Sequence, residues 1–333
     1  MKSATPDDLP RTGVEPDLSR SASECFESLW NGAIGMRSLP LTIAGARVLD
    51  AGVTCSGSLE AGLGLARLCL GDLANVRYVP ATADDLVGLS VTIQTDHPVL
   101  SCLGGQYAGW PVSVADYFAM ASGPMRCLRG KEAMLEQLHL SRQATDDDFA
   151  VGVLESDTLP GEDVIEAMAD ECGVDPSRLC LAVAPSTSIA GSAQVVSRSV
   201  ETALHKLHAL EFDVTRVVSA HGDAPLPPPA KKGDTIGGIG RTNDAMLYGA
   251  RVTLWVDAED DAIDSVASKV PSQSSDDHGR PFAEIFKQYE YDFYQVDPML
   301  FSPAVVTIHS LQSGRTWRHG QISIDVMRKS FGL

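Results

Sequence analysis

Arg198 and Glu201 stand three residues apart in the run APSTSIAGSAQVVSRSVETALHKLH, residues 184–208. On a helix, that spacing puts a guanidinium and a carboxylate on one face, within reach of each other. Such a pair supplies what acid–base chemistry needs. The carboxylate exchanges a proton, and the fixed cation favours its ionised form and orients it. A solvated surface ion pair has the same spacing. Gln194 and His205 extend the polar stripe a turn to either side, and Ser186, Thr187, Ser188, Gly191 and Ser192 form a small polar loop before it. A helix starting after such a loop leaves backbone N–H groups free for an anion or a polar ligand.

The elements that must position this pair are legible around it. Val196, Val200, Ala203, Leu204, Leu207 and Leu210 fall on one side at about 100° per residue, which predicts one continuous amphipathic helix. Residues 149–154 and 179–184 read as apolar strands. Between them 161–172 reads as a helix, with Glu162, Asp163 and Glu166 near its start and Gly173 closing it. Strand, helix and strand predict a covered parallel pair. The Arg198–Glu201 helix then follows the C-terminal end of a strand, where open α/β sheets hold their sites. Strands are also expected at 44–51, 76–79, 89–95, 117–124, 214–219 and 250–257, and helices at 21–38, 58–70, 131–140 and 262–270.

Other residues are weaker candidates. Gln106, Tyr107 and Trp110 lie in a glycine-rich stretch, 104–110, read as a turn whose aromatics could wall a flat heterocycle. Ser122-Gly123-Pro124 ends a strand and can bring backbone against a ligand. Asn243 follows GGIGRT, which lacks the Lys-Ser/Thr of a phosphate loop. Ser186, Ser188, Ser192, Gln194, Gln106 and Asn243 are candidate polar contacts to a substrate, and a cap or turn role explains each equally well. Gly62 and Gly64 lack the third glycine of a dinucleotide fingerprint, since Arg67 stands there, and read as close packing. Asp96-His97, His221 and Asp276-Asp277-His278 raise a metal site, but no second His stands at the helical spacing zinc motifs use.

Composition narrows the class. The net charge of −18 argues against non-specific nucleic-acid binding, which needs a basic face. No apolar run approaches the ~18 residues of a membrane span, and no secretory leader is evident at the N-terminus. Seven scattered cysteines without a C-x-x-C suggest reduced thiols in a cytoplasmic protein. Residues 1–20 are polar, acidic and proline-bearing and read as a disordered or loosely attached extension. The expected fold is α/β, in two domains with a substrate cleft between them: 21–145 and 146–333, possibly interleaved. The proline-rich stretch 221–235 reads as an irregular crossing or cleft wall.

Seven colinear segments carry a family resemblance: LDAGVTCSGSLEAGLGLARLCLGDL, TDHPVLSCLGGQYAGW, YFAMASGPMRCL, APSTSIAGSAQVVSRSVETALHKLHALEFD, GRTNDAMLYGARV, DHGRPFAEIF and DFYQVDPMLFSPA. Together they resemble the methenyltetrahydromethanopterin cyclohydrolases over roughly residues 41–331. The resemblance implies reversible hydrolysis of a cyclic amidinium to the formyl pterin, with no cofactor and no metal, in a homotrimer. It implies Glu201 as general acid/base and Arg198 as the group that orients and tunes it. Asp72 replaces a glycine usual in the family, and some relatives carry Lys where Tyr107 stands. Three other readings stay open on the residues: a nucleophilic hydrolase using Cys102 or a serine with His97 or His221, a metal-dependent amidohydrolase, and a non-catalytic pterin-binding protein.

Overall fold

A computed structural model describes residues 16–81, 86–292 and 295–333. The chain builds two six-stranded sheets, each flanked by helices. The first has the order β1-β2-β8-β7-β6-β5, with β1 Leu39–Ile43, β2 Ala46–Asp50, β5 Trp110–Val114, β6 Tyr117–Ser122, β7 Ala150–Glu155 and β8 Leu179–Ala184. The second has the order β12-β11-β10-β9-β4-β3, with β3 Asn75–Pro80, β4 Leu89–Thr95, β9 Val217–Pro225, β10 Arg251–Val256, β11 Val305–Ser310 and β12 Thr316–Gly320. The helices are α1 Leu18–Gly32, α2 Leu59–Cys69, α3 Met125–Arg129, α4 Ala133–Gln137, α5 Glu162–Cys172, α6 Ile189–Val196, α7 Ser199–Ala209, α8 Thr235–Gly249, α9 Asp260–Val266, α10 Phe282–Gln288 and α11 Ile324–Phe331. This is the expected α/β class with two sheet layers. Sheet membership interleaves along the chain. β7 and β8 complete the first sheet, and β3 and β4 pair into the second through β9. No described helix is long and apolar enough to cross a membrane.

The parallel pair is present. β8 lies between β2 and β7, parallel to both, and all six of its residues are buried. A strand covered on both faces has no solvent side, which is why it reads as an unbroken apolar run. Val151, Val153, Ala182 and Ala184 face one core with residues of α1, α2 and α6. Ala150, Leu154, Leu181 and Val183 face the opposite core with residues of α5. Gly161 precedes α5 and Gly173 closes it in the left-handed conformation, as the sequence predicts.

The expected single helix carrying Arg198 and Glu201 is two helices. α6 stops at Val196 and α7 starts at Ser199, with Arg198 at φ −82°, ψ 9° between them. The polar stripe is interior: Gln194, Arg198 and Glu201 are all buried. Its two ends serve different layers. Ala190 packs in the core under the first sheet, and Val196, Val200, Ala203, Leu204 and Leu207 pack in the core of the second.

Other expectations shift. The glycine-rich turn at 104–110 is preceded by a π-helical segment, Val99–Gln106, which absorbs Gly104, Gly105 and Gln106. The glycines at 237–240 lie inside α8. Strand β9 starts at Val217 and runs on to Pro225, and only the residues beyond that first proline are irregular. The helix expected at 131–140 is confined to Ala133–Gln137, and β1 was not foreseen. Of the expected extension, residues 1–15 lie outside the described residues. Leu18, Ser19 and Arg20 begin α1, where the Asp17 carboxylate caps the N–H groups of Ser19 and Arg20 and Leu18 is buried. The sequence also reads as strand-like over 292–322, where Phe293 lies outside the described residues and β11 and β12 form.

Asp72, where the family usually has glycine, adopts φ 58°. Asp tolerates that region better than most residues, and Arg67 grips its carboxylate with two hydrogen bonds of 2.7 and 3.0 Å.

The close-packing reading of Gly62 is correct. A Cβ there would come within 2.6 Å of Ala193 Cβ and 3.3 Å of Ala190 Cα on α6. Gly62→Ala is expected to push α2 and α6 apart at a cost of about 1–3 kcal/mol. That is a melting temperature lower by several degrees, with reduced activity because α6 leads into Arg198. A scan of thermal unfolding checks it, and an unchanged melting temperature would mean the contact yields without strain.

Candidate active site

The break between α6 and α7 exposes backbone carbonyls that a continuous helix would use. The Ser197 hydroxyl donates to Gln194 O at 2.6 Å, and Gln106 Nε2 donates to Ser197 O at 3.2 Å and to Ser197 Oγ at 2.9 Å. These side chains hold the bend in place of backbone bonds. The other amide atom of Gln106, Oε1, is buried with no hydrogen-bond partner among the described residues.

Arg198 sits at this bend, 7% exposed. Its Nη2 donates to Ser122 Oγ at the end of β6, at 3.2 Å. With the Gln194 amide oxygen turned toward the guanidinium, it accepts from Nη2 at 2.7 Å and from Nε at 3.3 Å. Ser122 Oγ also meets Cys69 Sγ at 3.2 Å. Arg198, Gln194 and Ser122, singled out separately in the sequence, therefore form one cluster. Glu201 is 4% exposed. Burial raises its carboxyl to about 7, against the opposing fields of Arg198 and then Arg126. A carboxyl at that value can take and return a proton near neutral pH.

Sequence reasoning missed Arg126, which organises the second flank. It is fully buried, and its Nη1 donates to the carbonyls of Leu103, Gly104 and Gly105 at 3.2, 3.4 and 3.2 Å. Those are the last carbonyls of the π-helical segment, the end where a cation is favoured. Glu132 pairs with the same guanidinium. Tyr107 follows directly and lies 5.1 Å from the Arg126 guanidinium carbon. It stacks on His205, with ring centroids 4.8 Å apart and planes at 16°. Burial, with help from His208 and Arg126, pushes His205 down to about 4, so this imidazole is neutral. His205 was seen as part of the stripe, but its tie to Tyr107 needed the fold.

The serines of the loop have mostly local partners. Ser188 caps α6, accepting from Gly191 N at 2.9 Å and donating to Pro185 O at 2.8 Å. Ser192 Oγ donates to Ser186 O at 2.9 Å. The Ser186 hydroxyl is buried without a partner among the described residues, and α8 comes so close that a Cβ on Gly238 would lie 2.7 Å from it. Asn243 Nδ2 donates to Ile239 O, one turn back in its own helix, at 2.9 Å.

Glu155, also missed, ends β7 and lies in the field of Arg198. The strand had been read as ending at Leu154. The rule that sites gather at C-terminal strand ends points to the next residue.

The remaining candidates stand apart. Cys102 is fully buried, and burial raises its thiol to about 12, which leaves negligible thiolate at neutral pH. Asp96 accepts from Ser219 Oγ at 2.7 Å. With His97, Arg67 and Asp72 it borders a concavity of about 660 Å³ that holds neither Arg198 nor Glu201. Asp277 is tied to Arg280 and Tyr289. Among the described residues no three His, Cys, Asp or Glu side chains gather as metal ligands.

Glu201 sets a stability prediction. Its folded value of about 7 lies above its ordinary 4.5. Between those values the folded chain holds a proton that the unfolded chain has lost, so stability falls as pH rises through this window. Glu201→Gln cannot ionise. It is expected to melt above the native protein at about pH 8, by a margin that narrows toward about pH 5. Melting curves at the two pH values check this, and a variant less stable at the higher pH would contradict it.

The family model described as "Cyclohydrolase (MCH)" matches residues 24–331. The methenyltetrahydromethanopterin cyclohydrolase of Methylobacillus flagellatus is 41% identical over 318 residues, covering 95% of this chain and 96% of the relative. Those of Methanobrevibacter smithii and Methanothermobacter marburgensis are each 43% identical, covering 87% of this chain and 90% of the relative. With so much of its length matched on both sides, the chain belongs to the cyclohydrolase (MCH) family.

Proposed function

We propose that this protein catalyses the reversible hydrolysis of methenyltetrahydromethanopterin to formyltetrahydromethanopterin, with Glu201 as the general acid/base and Arg198 as the group that orients and tunes it. The observation that carries the residue assignment is a desolvated carboxylate one turn from a buried guanidinium, at the bend between two sheets. Relatives of this name in both bacteria and archaea support the reaction.

The substrate is a planar cation whose reactive carbon lies between two nitrogens. Water adds to that carbon, and the electron pair of the C=N bond withdraws onto nitrogen. Glu201 takes one proton from the water as the C–O bond forms. The C–N bond then breaks, its pair stays on the departing nitrogen, and Glu201 returns the proton there. The remaining hydroxyl proton is released as the formyl C=O forms. Arg198 keeps Glu201 ionisable in a dry setting, while Ser122 and Gln194 hold the guanidinium. Ser186, Ser188, Ser192, Gln106, Tyr107 and Asn243 are the proposed contacts to the pterin or its tail. Among the described residues, Ser186 Oγ and Gln106 Oε1 are buried without a hydrogen-bond partner and so have bonding capacity to spare.

The reaction is proposed to need neither metal nor cofactor, and the active form is proposed to be a homotrimer, both carried over from the family. Light scattering of the purified protein tests the second.

Loss of the methenyl chromophore with purified protein tests the activity. Turnover should survive a chelator. Loss of turnover on chelation would instead favour a metal-dependent amidohydrolase, and binding without turnover a pterin-binding protein. Glu201→Gln is expected to lower kcat by about 10²–10⁴-fold, and near-native turnover would remove Glu201 from the role. The ionised carboxyl is the base, so kcat/KM for hydrolysis should fall as pH drops below about 7, and ring closure, which needs the acid, should fall above it.

A further inference from the structure

The reaction moves two protons, and Glu201 accounts for one. Both hydrogens leave the attacking water: one goes to the departing nitrogen and the other to solvent. The second is released when the C–N bond has broken and the O–H pair becomes the formyl C=O.

Glu155 lies where a second acceptor is wanted. It pairs with Met120 of β6 and Ala184 of β8. Two residues back on β7, Val153 pairs with Ser122, the residue that accepts from Arg198. Cross-strand partners share a face, and so do residues two apart along a strand. Glu155 therefore stands on the Ser122 side of the sheet, the side that packs on α2 and α6, one pleat from the Arg198 contact. Arg198 lies in reach of its field, as it does for Glu201. Asp50, at the same end of β2, is wholly occupied: it accepts from the N–H groups of Gly52, Val53 and Thr54 at 2.9, 2.7 and 2.8 Å. Among the described residues nothing hydrogen-bonds the Glu155 carboxyl. Burial raises it, the nearby Asp157 adds to that, and Arg198 opposes it. Glu155 keeps partial solvent contact, and Asp157, two residues on, is exposed and accepts from Thr235 at the start of α8.

We propose that Glu155 is the second proton-exchange group of this site, taking the hydroxyl proton of the tetrahedral intermediate and passing it to solvent beside Asp157. In the reverse direction it protonates the formyl oxygen. The inference rests on the cyclohydrolase reading, and no oxidant, metal or further reactant enters the balance.

The test is chromophore loss by Glu155→Ala and Glu155→Gln beside the native protein, in low buffer, with and without sodium formate. Native turnover establishes the reaction, so its failure would fall on that reading alone. Glu155→Ala is expected to lose about 10²-fold in kcat with KM changed less than about threefold. Formate, a carboxylate small enough for the vacated space, is expected to restore kcat in proportion to its concentration, and to leave Glu201→Gln unrestored. Glu155→Gln should show the same loss with a larger solvent isotope effect on kcat. If the alanine variant does not fold, Glu155→Asp against Glu155→Gln gives the same comparison, with the carboxyl variant retaining most activity. A kcat within about twofold of native, a loss that formate leaves untouched, or a loss carried by KM alone would overturn the proposal.

Discussion

A bend of two residues, Ser197 and Arg198, parts α6 from α7 near the junction of the two sheets, and the proposed chemistry depends on it. Ala190, early in α6, packs under the first sheet, while Val195 and Val196 beside the bend and the apolar residues of α7 after it pack in the core of the second. Buried carbonyls left over at such a bend each cost about 1–3 kcal/mol when unpaired, and the Ser197 hydroxyl and Gln106 amide remove that cost. The bend also separates the pair. Arg198 reaches back to Ser122 on β6, while Glu201, one turn on, belongs to the helix that packs on the second sheet. A straight helix would lay both side chains along one surface of a single layer. Here they sit at the junction of two.

What surrounds Arg198 matters as much as where it is. Among the described residues no carboxylate comes within ion-pairing distance of it, and its direct partners are neutral. Arg142 shows the alternative. It is bonded directly to Asp148, whose carboxyl is held far below the usual range and is fixed as an anion at any ordinary pH. A carboxylate locked that way cannot exchange protons. By holding the guanidinium with a hydroxyl and an amide, the fold leaves Glu201 exposed to the field of Arg198 without a contact ion pair, and burial then sets its proton affinity near neutrality.

Much of this was legible in the sequence, for physical reasons. β7, α5 and β8 were readable because apolar runs, dipole-matched charges and a C-terminal glycine all pointed to one answer. The pair Arg198 and Glu201 was readable because the three-residue spacing that brings side chains together on a helix needs no knowledge of the break before Ser199. The break was hidden, since nothing local distinguishes Ser197-Arg198 from a continuing helix; the cause is a carbonyl acceptor satisfied by Gln106, ninety-one residues away. Burial of the stripe was hidden for the same reason. Periodicity gives an apolar face and a polar face; the second sheet's core takes the apolar one, and the polar one is covered by β6, α2 and the π-helical segment, which lie far off in sequence. Arg126 and Glu155 sit in a short helix and at a strand end, where no period marks them. Arg126 shows its role only against the π-helical carbonyls, and Glu155 only through its register with Ser122.

The proposed substrate enters this arrangement as a charge. In the hydrolysis direction it is a cation, and a positive charge beside a desolvated carboxyl favours the ionised form. Glu201 then loses its proton at the moment a base is needed. In the ring-closing direction the formyl substrate is neutral and brings no such field, so Glu201 keeps its proton, as an acid must. Arg198 alone cannot make this distinction, because its charge is the same in both complexes. It keeps the carboxyl close enough to neutrality for the substrate to decide. A Glu201 bonded directly to Arg198 would be held as an anion, unable to keep a proton taken from water or to give one back. In the proposed mechanism, the neutral clamp of Ser122 and Gln194 around a buried guanidinium is thus what lets one carboxyl serve a reaction that runs both ways.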